Sequence, residues 1–557
     1  MKDTDTRPTA DTRSPGALHI LGVLAALVML SIVIRLPDLG MPLERDEGEY
    51  AYAAQEILRG YMPYQDTFCQ KPPVVFLWYL AGIVLFGQTI AGIHSILTIA
   101  AALGALGVYL LARRLFSGTG GWTAGGAWIA AVAFLASSAG SGYFGSAANT
   151  EIFMLVPVVF GVLSLTAAAE RDSRSAWFAT GFFFGIAMMT KQVALFSFVG
   201  PGIVAAALLW IRRRPVSAHV KPLIYGVIGT VTAVLPLLLW FAMRGVLATF
   251  WEVAFSHNIS YVGSPYGADK WEKVWNAFTG RFLATDGLLW ASLLVVLVLL
   301  VFSSRARRGL VAWLIPLWFA SSLFGVALGP FTFGHYFLQL LPPLTLALGF
   351  VAALAGGAFS GQWPTARARA LAVVIGLVAL APMVVARLDS VQAPLSQRSH
   401  ELYGIYGPPP FQAAVEVGAW LEERSAPDDT ILIVGSEPEI LFYSGRRSST
   451  RYTIFYPLTG AYESSGPMCA ELFAEIERSP PEFVILVYCQ TSFITGGRSD
   501  EIVKGIFHRV GELLQADYTE VDQVFVDKAN GKVFWQRRDR LNPQGLVPLF
   551  HIFRRNE

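Results

Sequence analysis

The residues of this chain best suited to chemistry lie in a polar, aromatic segment between two hydrophobic stretches near its start, ERDEGEYAYAAQEILRG and then FCQKPPVVF. Asp46 and Glu47 stand side by side, and Lys71 follows about two dozen residues later. A positioned carboxylate can take a proton from a hydroxyl, and an ammonium can stabilise an anionic leaving group. Held beside a membrane surface, such a set suits the handling of a phosphate-linked lipid. Tyr50, Ala53, Ala54, Ile57 and Leu58 recur at helical spacing after Asp46, with Gly60 as a C-terminal stop. The segment is therefore predicted to be a helix lying on the membrane. Its start holds Asp46, Glu47 and Glu49, where the helix dipole favours carboxylates. On this segment alone, plain helix capping explains the acids equally well.

The elements that must position these residues follow from composition. With 54% hydrophobic residues, 13% aromatics and a mean hydropathy of +0.49, a chain of 557 residues holds more apolar surface than a soluble core can hide. This is the composition of a polytopic membrane protein. A net charge of +2, with basic residues in short clusters between apolar runs, gives no footing for a nucleic-acid partner. Three cysteines are too few for a disulfide scaffold, although Cys469 and Cys489 share one C-terminal region and could pair there. The first apolar run, ending at SIVIRLPDLG, lacks a convincing small-residue cleavage site and reads as an anchor.

Candidate spans fall at residues 17–35, 89–112, 122–141, 152–169, 177–190, 192–211, 222–242, 287–303, 310–329, 337–356 and 370–387, giving about 11 transmembrane helices. The arginines at 113–114, 171 and 174, 212–214, 305–308, and 367 with 369 all fall on the cytoplasmic side if VVFLWYLAGIVLFG, after Lys71, does not cross. That segment is shorter than a usual span and is expected to be interfacial or re-entrant. The N-terminus is then cytoplasmic and the C-terminus outside. Loops 36–88, 142–151, 243–286 and 330–336 share the outer face. Beyond residue 411, helical patterns such as AAVEVGAWLEERS alternate with strand-like TILIVGS and EFVILVY. The expected organisation is a transmembrane domain over 1–390, with its first outer loop at 36–88, a linker over 391–410 stiffened by YGPPP, and an extracytoplasmic α/β domain over 411–557.

Several outer-face motifs, in order, give the chain a family resemblance. Asp46-Glu47 opens the first outer loop, an amphipathic helix follows, and Lys71-Pro72-Pro73 comes next. Glu151 in NTEIFML stands where relatives often have Asp followed by Pro, a departure that weakens the carry-over of its role. Thr190-Lys191 in MMTKQV, the histidine-bearing FWEVAFSHNISYVG and the late HYFLQLLPP complete the set. Over about residues 17–390 the chain resembles the bacterial protein mannosyltransferase and aminoarabinose transferase group, membrane glycosyltransferases of the GT-C type and similar to glycosyltransferase family 39. The resemblance implies a polytopic helical fold in the bacterial inner membrane. It also implies an inverting transfer of a sugar from a polyprenyl-phosphate donor to a lipid, glycan or protein acceptor outside the cytoplasm.

Asp46 is then the expected general base, with Glu151 as a second catalytic acid. Lys71, Lys191 and His257 are expected at the donor phosphate, and Glu47, Tyr50, His335 and Tyr336 at the sugar or acceptor. Each has a plainer reading. Lys191 can be a snorkelling lysine at a helix end, and Glu47 a solvated acid. His257 can be a structural histidine, and His335 with Tyr336 part of the interfacial aromatic belt. The scattered histidines and acids make no metal-ligand pattern, so neither a metal nor another cofactor is expected. A transporter or flippase of a lipid-linked saccharide is the alternative function. It would show repeat symmetry, which this sequence lacks, and would not need the acidic outer loop. A membrane-anchored binding protein acting through the outer domain leaves the acids and lysines unexplained.

Overall fold

The computed structural model describes residues 16–117, 122–212, 216–262, 270–304, 309–329, 332–358, 394–404, 410–537 and 545–557, with scattered positions between 367 and 392. The membrane portion begins with helices α1 (Ala17–Arg35), α2 (Arg45–Leu58), α3 (Val74–Phe86), α4 (Ile90–Phe116) and α5 (Thr123–Ser138). Next come α6 (Thr150–Arg171), α7 (Arg174–Thr190), α8 (Ala194–Ile211) and α9 (Val216–Met243), then long helices Leu283–Phe302, Leu310–Leu328 and Leu341–Ala358. Among the described residues eight helices are long and apolar enough to cross a membrane. The predicted runs are helical, except 370–387, which lies largely outside the described residues. The count of about eleven crossings is not reproduced, because α5 and α7, at 16 and 17 residues, fall short of a usual span. At 13 residues, α3 is shorter still. Its length of about 20 Å, at 1.5 Å per residue, does not reach across a hydrocarbon layer of ~30 Å.

The bundle packs through small residues, because lipid tails are as apolar as leucine and offer no hydrophobic gain to helix association. One close crossing is reciprocal. A Cβ on Gly126 of α5 would lie 2.4 Å from the Gly349 carbonyl oxygen, and a Cβ on Gly349 would lie 2.4 Å from that of Gly126. Around this crossing α4 and Leu341–Ala358 form the buried centre, while α1 and α9 turn apolar side chains outward, as lipid-facing helices do.

The C-terminal region builds one six-stranded sheet from β1 (Thr430–Val434), β2 (Arg447–Ser448), β3 (Phe483–Val487), β4 (Tyr518–Asp527), β5 (Val533–Trp535) and β6 (Leu546–Arg555). The order is β2-β1-β3-β6-β4-β5. β1 runs parallel to β2 and β3, and the β3–β6, β6–β4 and β4–β5 pairs are antiparallel. β1 and β3 are continuous apolar runs, TILIV and FVILV, as strands covered on both faces must be. Cys469 and Cys489 are free thiols, so the pairing left open by sequence is not formed. Helix Leu395–Leu402 occupies part of the expected linker, and its Arg398 pairs with Asp38 just after α1. Residues 406–409 of YGPPP lie outside the described residues.

Replacing Gly126 with valine forces α5 off Leu341–Ala358. The expected cost is about 1–3 kcal/mol of overpacking, read as a lower thermal midpoint of the detergent-solubilised protein, whereas Gly202→Val, with open space around its Cβ, should change little.

Candidate active site

Helix α2 starts as the adjacent acids require. Glu44 is its N-cap, the Glu44 backbone N–H donates to Glu47 Oε2 at 3.0 Å, and the reciprocal bond from the N3 amide closes a capping box. Consecutive side chains on a helix diverge by about 100°, and here that divergence separates Asp46 from Glu47. Asp46 faces a cavity of about 400 Å³. Glu47 faces the bundle, where its Oε1 accepts from the Ala148 amide at 2.6 Å and lies 3.1 Å from His94 Nε2. Glu47 is fully buried and lines neither of the cavities described here, so the expected substrate contact is replaced by a structural one. Tyr50, one turn on from Asp46, is also fully buried and donates its hydroxyl to Asp46 Oδ2 at 3.2 Å. It orients the acid from behind and does not line the chamber.

Glu44 and Glu49 line the same chamber as Asp46. Burial, followed by the Asp46 charge, pushes Glu49 up to about 8, with Lys71 and the Cys69 thiol pulling the other way. Burial and the charges of Asp46 and Glu47 likewise raise Glu44 well above the carboxylate range. Near neutral pH Glu49 is therefore an acid holding a proton, able to donate a hydrogen bond into the chamber without adding to its negative charge.

Lys71 lies at the mouth between this chamber and a second cavity of about 470 Å³; Lys71, Asn258 and Tyr336 line both. The second cavity is largely apolar, with Met188, Val193, Leu195, Phe196, Phe255 and Ile259 on its walls, and its polar end carries Glu151, Lys191 and Gln192. The backbone around Lys71 is pinned. The Tyr64 hydroxyl donates to the Lys71 carbonyl at 2.8 Å, Asn258 Nδ2 donates to the Gln70 carbonyl at 2.7 Å, and the Phe68 amide donates to the Arg451 carbonyl of the outer domain at 2.8 Å. Glu151 forms an ion pair with Lys191 and accepts from Thr150 Oγ1 at 3.0 Å. The Lys191 ammonium lies 4.6 Å from the centre of the Tyr336 ring. Glu151 thus meets the second cavity and not the chamber of Asp46.

His335 lines the chamber, stacked on Phe333 at 5.7 Å and edge-on to Tyr336 at 4.7 Å. His257 does not. Its Nε2 accepts from Gln70 Nε2 at 3.1 Å, its ring packs edge-on to Phe68 and Tyr462, and burial lowers its pKa to about 4. A neutral histidine held behind Gln70 is no phosphate cation, so this expectation is corrected to a supporting role. Tyr456, Thr491 and Phe493 of the C-terminal sheet domain complete the chamber wall. Glu49 was within reach of sequence reasoning, one turn from Asp46, and Asn258 is next to the singled-out His257. The outer-domain wall carried no such signal, because it is distant in the chain.

Residues 70–240 match the family model described as dolichyl-phosphate-mannose-protein mannosyltransferase. An undecaprenyl phosphate-alpha-4-amino-4-deoxy-L-arabinose arabinosyl transferase of Pseudomonas aeruginosa is 27% identical over 386 residues, covering 67% of this chain and 65% of that protein. A second such transferase, from Pseudomonas fluorescens, is 23% identical and covers 59% of each chain. This chain thus spans about three-fifths of the length of the curated relatives it matches. Among solved structures, apo ArnT of Cupriavidus metallidurans superposes with a TM-score of 0.58 at 14% identity, over 96% of this chain and 98% of that one. The fold is therefore the GT-C fold of that protein. None of these matches is a transporter.

The Glu49 shift has a consequence for stability. In the folded protein Glu49 keeps its proton up to about 8, against an ordinary value of 4.5. Its contribution is therefore present below the ordinary value and is lost as pH rises through the folded one. Glu49→Gln, which mimics the protonated acid, should match wild type in thermal midpoint near pH 4.5 and lose less stability than wild type on going to pH 8; parallel curves would show that burial does not raise the Glu49 carboxyl in the folded protein.

Proposed function

We propose that this chain, by fold and family match a GT-C relative of the bacterial protein mannosyltransferase and aminoarabinose transferase group, moves a sugar from a polyprenyl-phosphate donor to an acceptor at the outer face of the bacterial inner membrane. The observation that carries this reading is the position of Lys71 on the wall common to an apolar cavity and a polar, acid-bearing chamber. A lipid-linked sugar has that division: an apolar chain, a phosphate at the boundary and a hydroxylated ring beyond it. A solved ArnT structure carries undecaprenyl phosphate, which makes that lipid the natural probe.

In this reading the polyprenyl chain lies in the apolar cavity and its phosphate meets Lys71. Lys191 adds positive charge from the far side, held in place by Glu151. Asp46 takes the proton of the acceptor hydroxyl as its oxygen attacks the anomeric carbon. The new glycosidic bond forms as the bond to the phosphate oxygen breaks, and the polyprenyl phosphate leaves with that electron pair. One displacement inverts the anomeric centre. A low-dielectric site strengthens both the Lys71 attraction and its charge-assisted hydrogen bonds. Glu44 and the protonated Glu49, with His335 and Tyr336, are placed to bind sugar or acceptor hydroxyls. For this orientation the N-terminus is cytoplasmic, the sheet domain is extracytoplasmic, and membrane lipid surrounds the bundle.

Asp46→Asn should fold and bind undecaprenyl phosphate normally while transfer falls by about 10²–10⁴, measured as lipid phosphate released from a panel of polyprenyl-phosphate sugars. Lys71→Ala should weaken undecaprenyl phosphate binding and slow transfer, with Lys71→Arg retaining part of both because it keeps the charge and changes the geometry. Wild-type turnover by Asp46→Asn, or an unchanged dissociation constant for Lys71→Ala in detergent free of anionic lipid, would remove that residue from the mechanism.

For the topology, Glu512→Cys in a Cys469→Ser background should react with an impermeant thiol reagent on intact spheroplasts, and Ser117→Cys should be shielded until the membrane is opened. Labelling of Ser117→Cys from outside would mean that α3 crosses.

A further inference from the structure

The outer sheet leaves one crevice where an open α/β sheet ordinarily takes a ligand. After β1 the chain moves to β2 on one side, and after β3 it moves toward the other edge. The loops beyond the C-terminal ends of β1 and β3, residues 435–438 and 488–492, therefore flank a topological switch point. A bundle side chain occupies this crevice. Arg45 Nε donates to the Ser436 carbonyl at 2.6 Å, its Nη1 to the Tyr456 hydroxyl at 2.5 Å and the Thr491 carbonyl at 2.8 Å, and its Nη2 to Glu437 Oε1 at 2.5 Å. Arg45 and Glu437 are both buried. Glu437 is fixed in turn by the Ser436 amide at 2.8 Å and the Ser492 hydroxyl.

Arg45 is the first residue of α2 and immediately precedes Asp46. The same helix meets the outer domain further along. A Cβ on Gly48 would lie 2.5 Å from the Glu439 amide nitrogen, the Tyr52 hydroxyl accepts from the Ser448 amide at 2.8 Å, and Glu56 pairs with Arg447 at 3.0 Å. The guanidinium fork suits the crevice because its donors are planar and fixed, as an ammonium's are not. We infer that Arg45 is a positioning residue, and that the outer domain uses its sheet crevice to hold the start of α2, and with it Asp46, against a chamber wall to which one of these loops contributes Thr491. The inference rests on the transfer reaction proposed above. It gives the outer domain a part in catalysis without a ligand of its own.

The test uses the full chain with Arg45→Lys, Glu437→Gln and the double variant, assayed for transfer, undecaprenyl phosphate binding, thermal midpoint and hydrogen exchange at residues 45–50. A displaced catalytic group can cost about 10²-fold in rate, so each single variant should lose at least tenfold in kcat with undecaprenyl phosphate affinity within twofold of wild type. The double variant should be no worse than Arg45→Lys, since both changes break one contact. Folded single variants with wild-type kcat, or losses that multiply in the double variant, overturn the inference, as does a lowered thermal midpoint with kcat unchanged. Should Arg45→Lys fail to fold, the isosteric Glu437→Gln decides: unchanged exchange protection at 45–50 overturns the inference. A wild-type protein that releases no lipid phosphate from any donor defeats the functional reading instead, and the exchange measurement still decides this one.

Discussion

A short helix carrying Arg45, Asp46, Glu47, Glu49 and Glu56 is buried on almost every face, and the molecule is arranged around the need to satisfy it. Taking an ion out of water costs several kcal/mol even after relaxation, so α2 can occupy its place only if partners come to it from both sides. The bundle supplies the Ala148 amide and His94 to Glu47. The sheet domain supplies Glu437 to Arg45 and Arg447 to Glu56. These contacts commit bundle and sheet domain to one relative placement. That placement is what closes the chamber, since Asp46 and Lys71 come from the first outer loop and Tyr456 and Thr491 from loops of the sheet.

The same reasoning explains the two lysines beside the cavities. An isolated ammonium in an apolar wall is costly, and Lys191 is accommodated by the Glu151 carboxylate on one side and the negative face of the Tyr336 ring on the other. Lys71 belongs instead to a loop whose backbone is tied to Tyr64, Asn258 and Arg451. It sits at the mouth, half-buried, where an arriving anion can gain from its charge. Lys191 is paired within the fold, and Lys71, whose charge acts on Glu49, stands at the boundary the proposed reaction would use.

How much of this the sequence disclosed depends on the range of the interaction involved. Membrane spans, the interfacial helix and the alternation of strands and helices beyond residue 411 are local patterns, and they were legible. Asp46 and Lys71, whose types stand out in an apolar chain, both line the polar chamber. Lys191 with Glu151, and His335 with Tyr336, also reach the cavities, although sequence could not say which cavity each would face. Glu47 and His257 lie off both cavity walls for one physical reason: where a polar side chain is held depends on partners distant in sequence, Ala148 and His94 for the one, Phe68 and Tyr462 for the other. Arg45 carries no local signal of its role, because a basic residue at a helix start is unfavourable to the dipole and only its distant partner Glu437 accounts for it.

The adjacent acids of α2 show how a helix turns a dipeptide into two separate devices. Because neighbouring side chains diverge by about 100°, Asp46 and Glu47 cannot serve one substrate atom, and burying Glu47 against the bundle fixes the rotation of the helix about its own axis. With that rotation fixed, Asp46 points into the chamber, Glu49 one turn on joins it, and Tyr50 closes in behind to donate to the Asp46 carboxylate. A base is effective when its position costs nothing to reach at the moment of reaction. Rotation of α2 is held by Glu47 on the bundle side, and its end is held by Arg45 on the outer side. The charge that faces the chamber is therefore set by charges that do not, which is why the residues around Asp46 carry as much of the site's precision as Asp46 itself.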